Sequence, residues 1–440
     1  MLQVIGILIF VLLIGASIAL HEIGHLLPAK KFGVKVTEYM IGFGPTIWSK
    51  TKGETTYGLK GIPLGGYIRM IGMIPPAKDD PTGAPRSMTT GKFGAMISDA
   101  RKQSLDDVGP ADANRVFYKL PVRKKIVVML GGPTMNLLFA FVLFTIMLVG
   151  IGLPQPSLQV AGVVPCTPTL AQPTGESLPS GQCPTGTQLA PAAAAGLIEG
   201  DVITAIDGQA FDTWDQATTW IRAHGSTTAT LTYIRADSVM EVPIAIATID
   251  RPVYDDRGNP TGETATSGYI GMRPEFEYVS QSWATVPSYM WDITVASVKA
   301  LISLPVRLYE LVKDTLIGGG ERAIDSPVSV VGVSRIGGEI ATMDEPLMAK
   351  AATFLGLAAS LNLFLFLFNL LPVLPLDGGH VAGAMYEGLR RQFAKVRGRS
   401  DPGPVDIARL LPVAYVVAAA LVCMGVIVIW ADLIKPISLG

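Results

Sequence analysis

Leu20-His21-Glu22-Ile23-Gly24-His25-Leu26-Leu27 closes an apolar run that begins at Leu2 and holds no other ionisable side chain. The run is long enough, at about 1.5 Å of rise per residue, to cross a hydrocarbon core of about 30 Å as a helix. Helical positions i and i+4 share a face, so His21 and His25 can turn both imidazoles toward one metal ion. Glu22 then sits beside the remaining coordination position. Ionisable groups in hydrocarbon each cost several kcal/mol, which makes a functional constellation the natural reading of three of them together. The run has neither a basic leader nor a small-residue cleavage site, so it reads as a retained membrane helix and not as a secretory signal.

Three more stretches have the same length and character: 126–153, 351–376 and 410–434. With the first, at 1–27, they define a polytopic α-helical membrane protein with four transmembrane helices. The 440 residues are 49% hydrophobic and 16% charged, but polar segments of ordinary globular character lie between the spans. A net charge of -1 argues against nucleic acid as a partner, since phosphate recognition needs a concentrated basic face. Lys and Arg set the orientation. Lys30, Lys31, Lys35, Lys50, Lys52 and Lys60, with Arg123, Lys124 and Lys125, mark 28–125 as cytoplasmic. Arg390, Arg391, Lys395, Arg397 and Arg399 do the same for the loop 377–409. The thinly basic region from Pro154 to Glu345 falls outside the cytoplasm, and so do both termini.

In that outer region, 158–248 carries the signs of a small α+β domain: strands at Leu158–Val164 and Thr228–Arg235, a helix near Trp214–Ala223, and the apolar β-formers Val202, Ile203 and Ile206 before the turn pair Asp207-Gly208. This pattern resembles the PDZ fold, which binds an extended peptide by strand addition. A peptide site and a plain spacer over the membrane domain both remain open. Cys166 and Cys183 fall in a Pro-, Thr- and Gly-rich loop on the oxidising side, where a disulfide is permitted. Cys423, in the middle of the last span, reads as a small buried hydrophobe. Within the linker 249–348, Tyr289–Ile317 has helical length and amphipathic spacing, suited either to the membrane surface or to a soluble core, and Pro305 should kink or divide it.

A third metal ligand is expected at the depth of His21. The third span ends Asn369-Leu-Leu-Pro372-Val-Leu-Pro375-Leu-Asp377-Gly378-Gly379. Spans one and three both start outside, so a comparable rise brings His21 and Asp377 to the same cytoplasmic edge. His380 is the weaker candidate, because Gly378-Gly379 should turn the chain away. From Thr37 to Ile71 the residues are β-prone, and Lys52-Gly53 reads as a hairpin turn; a membrane-associated β-hairpin beside the metal could offer an edge strand to an extended substrate.

Taken together these motifs resemble the site-2 protease family of intramembrane zinc metalloproteases, over nearly the whole chain. The resemblance implies Zn2+ held by His21, His25 and Asp377, Glu22 as catalytic base, and Asn369 as a residue that holds substrate. Gly131-Gly132-Pro133-Thr-Met-Asn136 also looks like a family motif, with a structural role. Gly42-Phe43-Gly44-Pro45, whose first three residues are expected to touch substrate, and Pro63-Leu64-Gly65-Gly66 look most like the bacterial members. Those sit in the inner membrane, cut single-span membrane proteins such as anti-sigma factors, and carry an extracytoplasmic PDZ domain. A zinc transporter would not need a glutamate directly after its first ligand, and a PDZ scaffold without activity would not need the His, Glu and Asp set.

Overall fold

The computed structural model describes residues 1–76, 108–170, 176–178, 182–254, 260–317, 322 and 326–437. Part of the expected cytoplasmic segment 28–125, namely 77–107, therefore lies outside the described residues. The chain divides into two compact units, Met1–Gly150 with Gln281–Gly440, and Ile151–Ser280.

The first unit holds four helices long and apolar enough to cross a membrane: Leu2–Lys31, Val122–Ile151, Leu347–Asn369 and Leu411–Ile434. The first is α1; the second is α2 (Val122–Thr145) prolonged by a π turn. Leu8 and Leu12 on α1 and Val142 on α2 remain exposed, as expected for surfaces solvated by lipid. α1 and α2 touch backbone to backbone. A Cβ placed on Gly24 would lie 2.2 Å from the Gly131 carbonyl oxygen, and one on Gly131 would lie 1.9 Å from that of Gly24. Only a pair of glycines allows this approach, which is the small-residue packing that helices use where the hydrophobic effect cannot drive association.

Beyond α1 come β1 (Val36–Lys52) and β2 (Thr55–Met70), joined at Gly53-Glu54. The expected hairpin is more folded than a two-stranded ribbon. Tyr39 lies opposite both Ile68 and Tyr57, while Lys50 also pairs with Tyr57. The bent strands thus make four side-by-side segments, with Gly66–Met70 at one edge. The sheet is anchored to the helices by a shared core of Leu26, Ala29, Val36, Tyr39, Met70 and Val128. The Tyr39 hydroxyl also donates to the Ala19 carbonyl of α1 at 2.9 Å.

The second unit is built on a six-stranded sheet in which β3 (Leu153–Val163), β4 (Val202–Ile206), β6 (Thr228–Arg235) and β7 (Ser238–Ala245) follow one another, with the short β5 (Gln209–Ala210) paired to β4. The edge strand beside β3 is β10 (Met272–Val279). A separate hairpin of β8 (Ala247–Tyr254) and β9 (Pro260–Tyr269) leads into it. The sheet and the helix Trp214–Ala223 enclose Val160, Ile203, Ile206, Leu231, Tyr233 and Ile244. The domain therefore runs to Ser280 and not to residue 248, because the strand that completes the sheet lies beyond an inserted hairpin. Cys166 and Cys183 are joined by a disulfide.

Other expectations change as well. The third span, α7 in chain order after the short α3 (Pro191–Ala194), α4 (Trp214–Ala223), α5 (Thr285–Val312) and α6 (Val330–Thr342), covers Leu347–Asn369 and stops well before residue 376. Pro372 and Pro375 explain the stop, since each lacks an N–H and disfavours helical backbone in the residue before it. Asp377 opens a new helix, α8 (Asp377–Val396), so Gly378 and Gly379 lie in its first turn instead of leading away. Pro305 does not divide α5, which runs unbroken through it. Cys423, on α9 (Leu411–Ile434), is exposed on the outer face of its helix and not buried. The expected loop 377–409 thus consists largely of α8. This helix is clamped at Glu387, whose carboxylate accepts from buried Lys125 of α2 at 2.8 and 3.0 Å and pairs with Arg391 at 2.9 Å.

Candidate metal centre

α1 sets two imidazoles on one face, and the first residue of α8 meets them. His21 Nε2 and His25 Nε2 are 3.2 Å apart, and Asp377 Oδ2 lies 3.3 Å from the first and 3.4 Å from the second. Among the described residues this is the group of His, Cys, Asp and Glu side chains close enough to hold a metal ion. Zinc bonds of about 2.0 to 2.1 Å give a tetrahedron whose edges are about 3.3 to 3.4 Å. The three donor atoms thus form a triangle with the dimensions of one tetrahedral face, and two neutral imidazoles with one carboxylate are a donor set that zinc accepts. All three side chains are largely buried, at 15%, 7% and 19% exposure, so the polar cluster has little water to satisfy it.

α2 lies directly over the imidazoles through one stripe of residues four apart. The Val128 carbonyl is 2.8 Å from His25 Nδ1, which donates to it and leaves Nε2 facing the other two donors. At Gly132 a Cβ would fall 2.2 Å from His25 Nε2 and 2.8 Å from His21 Cε1, so any side chain there would displace the rings. The Asn136 amide nitrogen is 3.2 Å from His21 Nδ1. Sequence reasoning gave the Gly-Gly-Pro-x-x-Asn run a packing role and missed these contacts. An asparagine inside an apolar span was the available signal.

Glu22 is 8% exposed and points toward the sheet, since a Cβ on Gly66 would meet its Cγ at 3.0 Å. One edge of the sheet therefore runs beside the proposed base. Phe43 is half-exposed and stacks on Tyr67 with ring centroids 6.3 Å apart. Gly42 and Gly44 flank it with φ of 90° and 82°, values that favour glycine. Asn369 is the last residue of α7 and is partly exposed. One turn before His21, Ser17 donates to Asn362 of α7, a buried polar link between the two spans that sequence reasoning also missed. His380 is not a member of the donor triangle; its Nδ1 is buried without a partner. Burial holds that imidazole below its usual range.

A family model described as Peptidase family M50 matches residues 9–401. The chain is 34% identical over its full length to the zinc metalloprotease Rip1 of Mycobacterium tuberculosis, with 100% of each covered. It is 24% identical to the zinc metalloprotease RasP of Bacillus licheniformis, covering 96% of this chain and 97% of that one. Among solved structures, the PDZ domain of the SdrC-like protein from Listeria monocytogenes is similar to 19% of this chain and 76% of that one, at 27% identity and a TM-score of 0.14.

Proposed function

The chain belongs to peptidase family M50 and is a multi-pass zinc metalloprotease; from that premise we propose that it cuts peptide bonds within the membrane-spanning segments of other proteins. His21, His25 and Asp377 hold the zinc ion, and Glu22 is the base. The observation that carries this reading is the donor triangle of 3.2 to 3.4 Å set at the end of an apolar helix. Bound there, zinc supplies Lewis acidity and lowers the pKa of a water molecule toward about 7. Glu22 takes the proton from the attacking water and returns it to the leaving amine. Burial of the three ligand side chains keeps bulk water from competing for the site.

A helical peptide bond is shielded by its own hydrogen bonds, so the substrate has to be extended when it is cut. The edge of the sheet at Gly66–Met70, next to Glu22, is suited to pair with such a strand. Gly42, Phe43, Gly44 and Asn369 hold the substrate in this reading. Its substrates are single-span membrane proteins, anti-sigma factors among them on the resemblance to bacterial members. The edge strand β10 and the cavity of about 540 Å³ beside it, lined by Asp212, Trp214, Asp215, Glu277 and Val279, suit an extracytoplasmic peptide. Basic residues near the spans favour a bacterial inner-membrane orientation with both termini outside.

The test compares Glu22→Gln with His25→Ala in purified protein. Glu22→Gln should keep one zinc and lose cleavage of a single-span reporter, whereas His25→Ala should lose both. Normal cleavage by Glu22→Gln would sink the assignment of the base.

A further inference from the structure

We infer that Asn136 is a positioning residue for His21: its amide carbonyl accepts a hydrogen bond from His21 Nδ1–H, which fixes the imidazole as the tautomer whose Nε2 faces the metal. This rests on the reading of His21, His25 and Asp377 as zinc ligands. Asn136 is 2% exposed and sits inside α2, one helical turn beyond Gly132. Its amide nitrogen is placed 3.2 Å from His21 Nδ1, and its Oδ1 is buried without a partner. The two ends of a carboxamide have the same shape, so the hydrogen-bond network decides which end faces the ring.

Chemistry allows only one orientation when metal is bound. If the NH2 end donates to Nδ1, the imidazole proton must sit on Nε2, the atom that lies 3.2 and 3.3 Å from the other two donor atoms. A protonated Nε2 cannot ligate. Turning the amide puts Oδ1 at the same 3.2 Å, where it accepts from Nδ1–H and leaves the Nε2 lone pair free. One amide end stays unpartnered in either orientation, so that cost does not choose between them; the metal does.

The same arrangement already exists at the second histidine. His25 Nδ1 donates to the Val128 carbonyl at 2.8 Å, and Val128, Gly132 and Asn136 are spaced four apart on α2. One stripe of this helix therefore serves both rings: a main-chain acceptor for His25, an absent side chain that makes room, and a side-chain acceptor for His21. Among the described residues the partner of His21 Nδ1 is the Asn136 amide and not a main-chain carbonyl, so the amide supplies the acceptor. Outer partners of this kind orient ligands and raise their basicity, and their loss costs about 10- to 100-fold in metal affinity.

Two substitutions separate this role from packing. Asn136→Leu keeps the volume and removes the acceptor; Asn136→Asp keeps an acceptor and adds a charge. Zinc affinity is measured on the purified full-length protein by competition with a chelator, alongside the absorption spectrum of the cobalt form. The expected result is a loss of about 10- to 100-fold for Asn136→Leu with a shifted cobalt spectrum, and affinity within a few-fold of wild type for Asn136→Asp. Packing alone predicts the reverse order, because leucine is the better tolerated filler of an apolar interior. Wild-type affinity in Asn136→Leu, or an equal loss in both variants, overturns the inference.

A measurement on the unaltered protein stands apart from whether either variant folds. The chain has four histidines, so nitrogen-15 labelling of histidine gives few ring signals in the zinc-loaded protein. His21 should carry its proton on Nδ1; a proton on Nε2 overturns the inference. Zinc retained by His25→Ala would instead mean that the ligand assignment is wrong, which distinguishes that failure from this one.

Discussion

At the scale of single residues, the site depends on what is missing as much as on what is present. Gly132 has no side chain where the two imidazoles pass, and a methyl group there would fall 2.2 Å from His25 Nε2, a proposed zinc ligand. Real contacts of that length do not occur, so the ring or the helix must move. Gly132→Ala should therefore lower zinc affinity by at least tenfold, read by chelator competition, while the second unit keeps its fold; unchanged affinity would show that α2 can yield at no cost. The proposed ligand pair was legible in the sequence as a candidate, since His21 and His25 stand four apart and helical geometry gives them a common face. Asp377 was reached by counting rises along two spans. Asn136 and the Val128 carbonyl were not legible as partners, because nothing in a linear sequence says which turn of a second helix lies over which edge of a ring.

At the scale of elements, local patterning told more than long-range pairing. The helix Trp214–Ala223 and the strand Thr228–Arg235 have the bounds that their residues suggested. β10, by contrast, is paired to β3 across more than a hundred residues and follows an inserted hairpin, so its place at the sheet edge could not be read locally. The third span was overextended because Leu370–Leu376 is apolar, yet its two prolines end the helix and let Asp377 begin the next. An acidic first residue is favoured there by the helix dipole. In the second unit, Asp201 closes the turn before β4. It is fully buried, accepts from the Ile198 amide at 2.9 Å, and takes two bonds of 2.7 Å from Arg235. Burial opposes the charge, but Arg235 and the amide outweigh it and hold the carboxyl below its usual range. The unfolded chain then binds more protons than the folded one at acid pH, so this stabilisation is complete above about pH 4 and is lost as pH falls through the lowered value. Asp201→Asn should weaken the unit at neutral pH and flatten its acid sensitivity in that window. Hydrogen exchange of the β4 and β6 amides across pH reads it out; parallel profiles for variant and wild type would contradict the account.

At the scale of the molecule, the proposed reaction has to bring water, metal and an extended peptide together at the depth of a membrane. The four spans, the glycine contact between α1 and α2, and the sheet anchored on the same helices all serve that end within one unit. The proposed orientation rests on the basic clusters flanking the spans. With Cys423 replaced by serine, a cysteine at Arg397 should be shielded from an impermeant thiol reagent in intact cells and one at Ser238 should react, whereas the opposite pattern would invert the topology. Composition made the spans plain, because runs of this length have few other uses in a folded chain. The folding of β1 and β2 into four segments was not plain, since the bulges that bend them carry no strong local signature. The most direct measurement maps the bond that is cut. A single-span reporter is digested by the zinc-loaded protein in membranes, and the products are identified by mass spectrometry. The account predicts one principal cut inside the apolar segment, absent from the Glu22→Gln digest; cuts confined to the polar flanks of the reporter would contradict it.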